Sequence, residues 1–356
     1  MKKVFAAVSL ICLILFLLPL EVAQANPLGP PNVRSIVIAS DGSVDPSDAP
    51  ISRIGNNEYH LTSNLSAETY SLFNTTVYNI VVQRANTILN GENHSIKGAG
   101  SQGIRLDFVN GVTVKNFVLS GFDSAIEVYS SSNINLLNNS VTTYAFGFEI
   151  SHSTNVLVEG NNLEDKFDQA AIFLISTNSS IIHNNNLFCS SLKASAFRIE
   201  DSNNNLIQAN RIANFGSGIN FINSSNNSFY QNNLIGNTIQ AQDLFSHYQN
   251  LNEINQQINQ RNPKANMPIY YPSIITWKNN FWSDYNGSGT YVIDQNNVDR
   301  FPLSQPVDIN SIAPTPTPTT IINSVSPLTI TVIVAVIILI GAISLLFFRR
   351  HRKTTK

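Results

Sequence analysis

The sequence predicts an all-β fold: a right-handed parallel β-helix, a single solenoid of 22–25-residue coils, followed by one C-terminal transmembrane helix. Three observations carry this expectation. From residue 103 onward the chain falls into six rows beginning at Gly103, Ala125, Gly147, Ala171, Ala196 and Gly218, every row opening on Gly or Ala. Columns within the rows stay apolar throughout, as in Ile104, Ile126, Phe148, Ile172, Phe197 and Ile219, or Val114, Leu136, Val158, Ile182, Ile207 and Phe229. A further column is asparagine in five rows, Asn139, Asn161, Asn185, Asn210 and Asn232, with Phe117 in the first.

Apolar residues alternate inside each row, the pattern of short strands with one buried face. Three such strands joined by polar turns make one coil of a parallel β-helix. A local period of two excludes helical repeats, and the leucine consensus of leucine-rich repeats is missing. Stacked one strand spacing apart, about 4.8 Å, asparagine amides can bond along the stack and to turn backbone. Asparagine also tolerates the left-handed conformations that tight turns require. Asn133, Asn155, Asn204 and Asn226 suggest a second, looser ladder.

Taken in order, residues 1–25 have the basic start, apolar run and Ala23-Gln24-Ala25 cleavage site of a signal peptide. Residues 26–78 hold strand-like pieces expected to form an N-terminal cap and first strands, and 79–242 the coils. In 243–272 the period becomes helical: Leu244, Tyr248, Leu251, Ile254 and Ile258 recur at the spacing of a helical insertion or cap, with Asp243 as its N-cap. An aromatic-rich closing segment spans 273–310 and a Pro/Thr linker 311–327. The uncharged run 328–348 would cross ~31 Å of bilayer as a helix. The basic tail 349–356 places the C-terminus in the cytoplasm and the body of the chain at the cell surface.

Only 12% of residues are charged and the net charge is −2, so no basic face can be assembled and nucleic acid is excluded as a partner held by bulk electrostatics. With Cys12 in the signal segment, Cys189 has no intramolecular disulfide partner in the mature chain.

Coils with Asn-Asn-apolar turns resemble the NosD-type right-handed parallel β-helix repeat proteins, related to carbohydrate-binding and sugar-hydrolase β-helices. The tail NNFWSDYNGSGTYVIDQNNVDRFPL is similar to the closing segment of membrane-anchored members on archaeal cell surfaces. The resemblance covers roughly residues 35 to 308 and implies fold more specifically than activity. Relatives that resemble the chain carry an Asp/Gly-rich insert suited to calcium; here only Asn286-Gly-Ser-Gly289 stands there, and Asp284, Asp294 and Asp299 do not form a calcium-loop pattern. The founding family assists copper-site assembly in a nitrous oxide reductase. Soft donors are scarce here: Met267 and Cys189 beyond the signal segment, and His152 and His183 in different columns, expected as surface residues. No cofactor and no metal site are expected.

Chemistry in such a fold belongs on outward positions. The third column reads Arg105, Glu127, Glu149, Phe173, Arg198 and Asn220, with Asp107, Tyr129 and Glu200 in the fifth. Glu127 and Glu149 on adjacent coils, with Arg105 beside them, are the candidate catalytic group at the carboxylate spacing of retaining glycosidases. Tyr129, Phe173 and Arg198 are the candidate ligand-binding residues. Three functions are weighed: non-catalytic binding of polysaccharide or another extended cell-wall ligand, a polysaccharide hydrolase or lyase, and an accessory factor for a metalloenzyme or transporter. The first is expected. Oligomeric state is left open by the sequence.

Overall fold

The computed structural model describes residues 35–66, 78–98, 102–165, 167–189 and 192–312. The expected signal peptide at 1–25, nearly all of the expected linker, the 328–348 run and the basic tail lie outside the described residues. Among the described residues no helix is long and apolar enough to cross a membrane.

Each row supplies one strand to each of three sheets, of ten, twelve and nine strands. The row starting at Ala125 shows the pattern: Ser124–Tyr129 joins the first sheet, Ser132–Leu137 the second and Ser140–Thr142 the third. Neighbouring coils pair in parallel and in the register of the columns, for instance Ile126 with Ile104 and Phe148. The N-terminal region goes beyond a cap. Ile36–Ile38, Glu58–Leu61 and Leu65–Ser66 form a complete coil, one strand per sheet. Its antiparallel hairpins, such as Ile51–Ile54 with Glu58–Leu61, occupy the sheet edge, where an unpaired strand invites aggregation.

The apolar columns fill the interior. Ile104, Ile126, Phe148, Ile172, Phe197 and Ile219 are all fully buried, as are Val114, Leu136, Val158, Ile182, Ile207 and Phe229. Small row openers follow from close approach between coils: a Cβ at Gly147 would lie 2.4 Å from the carbonyl oxygen of Ala171.

The asparagine column forms a continuous ladder. Asn161 Oδ1 accepts from the backbone N–H and Nδ2 of Asn139 at 2.9 and 3.0 Å, and Asn139 Nδ2 also donates to the Val114 carbonyl. The same arrangement repeats through Asn185, Asn210 and Asn232. It continues past the expected end to Asn280 and stops on a carboxylate: Asp299 Oδ2 accepts from the backbone N–H and Nδ2 of Asn280 and from Trp282 Nε1 at 3.0, 3.1 and 3.2 Å. The second ladder differs from the expectation. Asn133, Asn155, Asn204 and Asn226 are the left-handed turn residues, and of these Asn155 donates to Asn133. The buried bonds instead link Ser131 to Ser153 and run from Thr177 through Ser202 and Ser224 to Ser273, because the turn points its left-handed residue outward and the short hydroxyl inward.

The helix Phe245–Arg261 departs after the first-sheet strand Ile239–Asp243, and the chain re-enters the second sheet at Ile275–Lys278, so it stands at a corner of the last coil. One expectation is corrected. Asp243 is the last residue of its strand rather than the N-cap, which is Leu244; the Asp243 carboxylate accepts from the N–H groups of Phe245 and Ser273 and ties the two ends of the excursion. On this helix Tyr248 meets the Tyr270 ring at 4.7 Å, while Leu251, Ile254 and Ile258 are exposed and Asn252 and Asn255 are buried. Asn252 makes a two-bond clasp with Tyr270 backbone, Asn259 one with Met267, and Asn255 donates to Pro268. The returning segment offers unpaired peptide groups, and amides satisfy these where apolar side chains cannot.

Candidate functional site

The first sheet turns its third and fifth columns outward, and the register brings the expected residues together. Glu127 pairs with Arg105 on one side and Glu149 on the other, and Glu149 with Phe173, which pairs with Arg198. Each arginine is claimed by the carboxylate two residues along its own strand, Arg105 by Asp107 and Arg198 by Glu200, the latter at 2.7 Å. Glu127 and Glu149 lie between these ion pairs, half-buried, and neither has a hydrogen bond or ion pair among the described residues.

The electrostatics follow from that placement. Burial pushes the Glu127 carboxyl above the ordinary glutamate value, with Arg105 pulling it back and Asp107 adding to the rise. Burial also raises Glu149, and the adjacent Glu127 charge raises it further. Asp107 is raised chiefly by burial, with Arg105 opposing. Like charges facing each other across a strand pair are unfavourable; Arg105 partly offsets Glu127, whereas the charge acting on Glu149 is that of Glu127.

Three aromatic rings climb the corner beside these carboxylates. Tyr129 meets Phe108 edge-on at 5.3 Å and His152 at 5.5 Å. Phe108 and His152 occupy the left-handed sixth position of their coils, which throws their side chains off the sheet and leaves Phe108 74% exposed. Tyr129 is half-buried. Phe173 corrects its expected role: it is 7% exposed, stacked on Phe146 at 5.4 Å and covered by the Arg198 guanidinium at 4.9 Å, so its ring offers no open face. Arg198 is the surface group there. Phe108 was missed by sequence reasoning because its column also holds Ser130, Ser176, Asp201 and Asn223, and nothing in that mixture marks a ring.

The remaining candidates have structural duties. Asp294 accepts from the Asn296 and Asn297 N–H groups in a turn, Asp284 accepts from the Tyr291 hydroxyl, and Asp299 ends the amide ladder. His152 is exposed as expected. His183 is not a surface residue: it is 2% exposed, its Nδ1 3.6 Å from Glu159 Oε1, because its outward position is hemmed in by neighbouring coils.

Stacked coils with flat polar outer ladders define a parallel β-helix repeat protein. Residues 54–287 match the family described as periplasmic copper-binding protein (NosD), and the chain belongs to that family. No curated protein matches the chain. Among solved structures, a variant of the periplasmic alginate epimerase AlgG is 12% identical, with 69% of this chain and 77% of that one covered at a TM-score of 0.41. DFA-IIIase from Arthrobacter chlorophenolicus A6 is 14% identical over 65% and 57% at 0.36, and the Dettilon tailspike protein 13% identical over 63% and 53% at 0.32.

The family description raises copper. Among the described residues no group of three or more His, Cys, Asp or Glu is placed to hold a metal ion. Cys189 is fully buried, and His152 and His183 stand on different coils. The donors present do not fit a copper centre, and no step is derived through one.

Proposed function

We propose that this chain is an exported, membrane-anchored surface protein that binds polysaccharide along the outer face of its first sheet, without cleaving it. The observation that carries this reading is the exposed edge of Phe108, Tyr129 and His152 running across three coils beside the unmatched Glu127 and Glu149. Aromatic rings lie against the apolar faces of sugar rings, and carboxylates accept hydrogen bonds from hydroxyls. A rigid sheet holds both sets at a fixed repeat, so little ordering entropy is lost on binding. The test is a glycan-binding and degradation screen on the purified full chain in detergent. Binding without product, weakened about tenfold in Phe108→Ala, an affinity change of ~1.4 kcal/mol, is the expected result. Absence of any glycan ligand sinks the proposal.

A second reading rests on the in-register carboxylates. Adjacent strands lie about 4.8 Å apart, close to the separation used in retaining glycoside hydrolysis. Glu149, the more isolated from cations, would be the proton donor and Glu127, beside Arg105, the nucleophile. Release of oligosaccharides that stops in Glu149→Gln would replace the binding reading with this one.

A further inference from the structure

A second groove lies where the second sheet turns into the third. The outward column of the third sheet runs Ser140, Asn162, Asn186, Arg211 and Asn233, each in register with the next. At one end of this column Asn233 clasps the closing strap, donating from Nδ2 to the Val307 carbonyl at 2.8 Å and accepting from the Val307 N–H at 2.9 Å. The strap starts beside the last coil, where the Leu303 N–H bonds the Asn280 carbonyl, and runs back along the column. Asp308 accepts from the Asn310 N–H and fixes the strap's turn, so that Ile309 and Asn310 form a wall over Asn162, Asn186 and Arg211.

The space enclosed is about 520 Å³, within the usual range for a small-ligand site. Gly160 opens its floor. Neighbouring coils place Asn138 and Asn184 at this corner, but Gly160 carries no side chain, and a Cβ there would lie 2.4 Å from Asn138 Oδ1. The chemistry of the lining is one cation among amides. Arg211 Nη1 donates to Asn186 Oδ1 at 3.1 Å, and no carboxylate among the described residues lies within ion-pair distance of Arg211. Asn186 Nδ2 donates to Asn162 Oδ1 at 2.5 Å and to the exposed Glu164 at 3.1 Å, and no acidic side chain lines the groove itself.

We infer that this groove is a binding site for a carboxylate-bearing sugar unit, a hexuronic acid. The guanidinium fork matches a carboxylate. Primary amides donate and accept, as sugar hydroxyls require, and Ile309 offers an apolar edge to a ring face. The unmatched glutamates of the first sheet repel such a ligand, so the site acts apart from the face described above.

Calorimetric titration of the full chain with sodium glucuronate tests this, with glucose as the neutral control. Saturable binding of glucuronate, weakened about tenfold or more in Arg211→Gln and partly restored in Arg211→Lys, is expected. Arg211 is at the surface, and unchanged thermal unfolding of Arg211→Gln separates lost binding from lost fold; Asn162→Ala, two coils along the same column, is the second variant and should also bind more weakly. Absence of saturable binding, equal binding of glucose, or binding indifferent to both substitutions overturns the assignment. A uronic-acid trimer that binds more tightly than the monosaccharide assigns the site to a polymer, and equal affinity assigns it to the free acid sugar.

Discussion

Two stacks of side chains run along this solenoid, one inside and one outside, and they treat polarity in opposite ways. Inside, every amide from Asn139 to Asn280 gives its Nδ2 to the next coil and to a backbone carbonyl, and the last finds the buried Asp299 carboxylate. Outside, the third column of the first sheet alternates arginine, glutamate and ring, and its arginines are diverted to Asp107 and Glu200. Glu127 and Glu149 are left facing each other. A buried stack must close every bond, since each orphaned polar group costs about 1–3 kcal/mol. A surface stack has water as a partner of last resort and can keep groups unmatched for a ligand. Completeness marks the ladder that holds the fold; incompleteness marks the candidate site.

The largest test of that contrast is Asp299→Ala. It strips the acceptor from Asn280, Trp282 Nε1 and the Phe301 N–H together. Stability should fall by about 3–5 kcal/mol, read by calorimetry or denaturant titration. A change below 1 kcal/mol would mean that the carboxylate does not close the ladder. Asn185→Ala breaks the ladder in the middle and should cost about 2–3 kcal/mol, leaving the Asn161 backbone N–H without its acceptor and removing the bonds of Asn185 to Val158 and Asn210.

On the outer stack the order of effects reverses. Phe108→Ala should leave the unfolding midpoint within a degree or two while weakening polysaccharide binding about tenfold. A loss of stability comparable with that of Asn185→Ala would erase the distinction between the two stacks.

The smallest effect is a pH dependence. Glu127 and Glu149 are raised above 4.5, so the folded chain holds protons that the unfolded chain releases. Their presence therefore costs stability at neutral pH, and that cost disappears as the pH falls toward 4.5. Glu149→Gln should be more stable than the parent by about 0.5 kcal/mol at pH 7, discounted for solvent screening, with the difference vanishing below pH 4.5. A difference that grows on acidification contradicts the like-charge account.

The interior was legible in the sequence because its constraints repeat. A position that faces inward in one coil does so in all, and the apolar columns could be read six times over and the asparagines Asn139 to Asn232 five times. The outward juxtaposition of Glu127 with Glu149 was legible for the same reason. What could not be read depended on single, unrepeated events. Asp299 lies beyond the break in period, and its service to Asn280 depends on how the closing segment folds back. Phe173 carries an open-ring signature in sequence, yet Phe146 and Arg198 close over it. The helix's asparagine clasps were equally out of reach, because they depend on residues 267–270 bringing peptide groups to that side.

Alternation, spacing and residue type thus specified the coil, the register and the two stacks, since a period-two strand with one apolar face has a single way to bury itself against copies of itself. The destination of the closing strap, the asparagine clasps of the helix and the groove over Arg211 were settled by chain folding in three dimensions. These contacts join residues far apart in sequence through one-off hydrogen bonds, such as Asn233 with Val307, that no repeat announces.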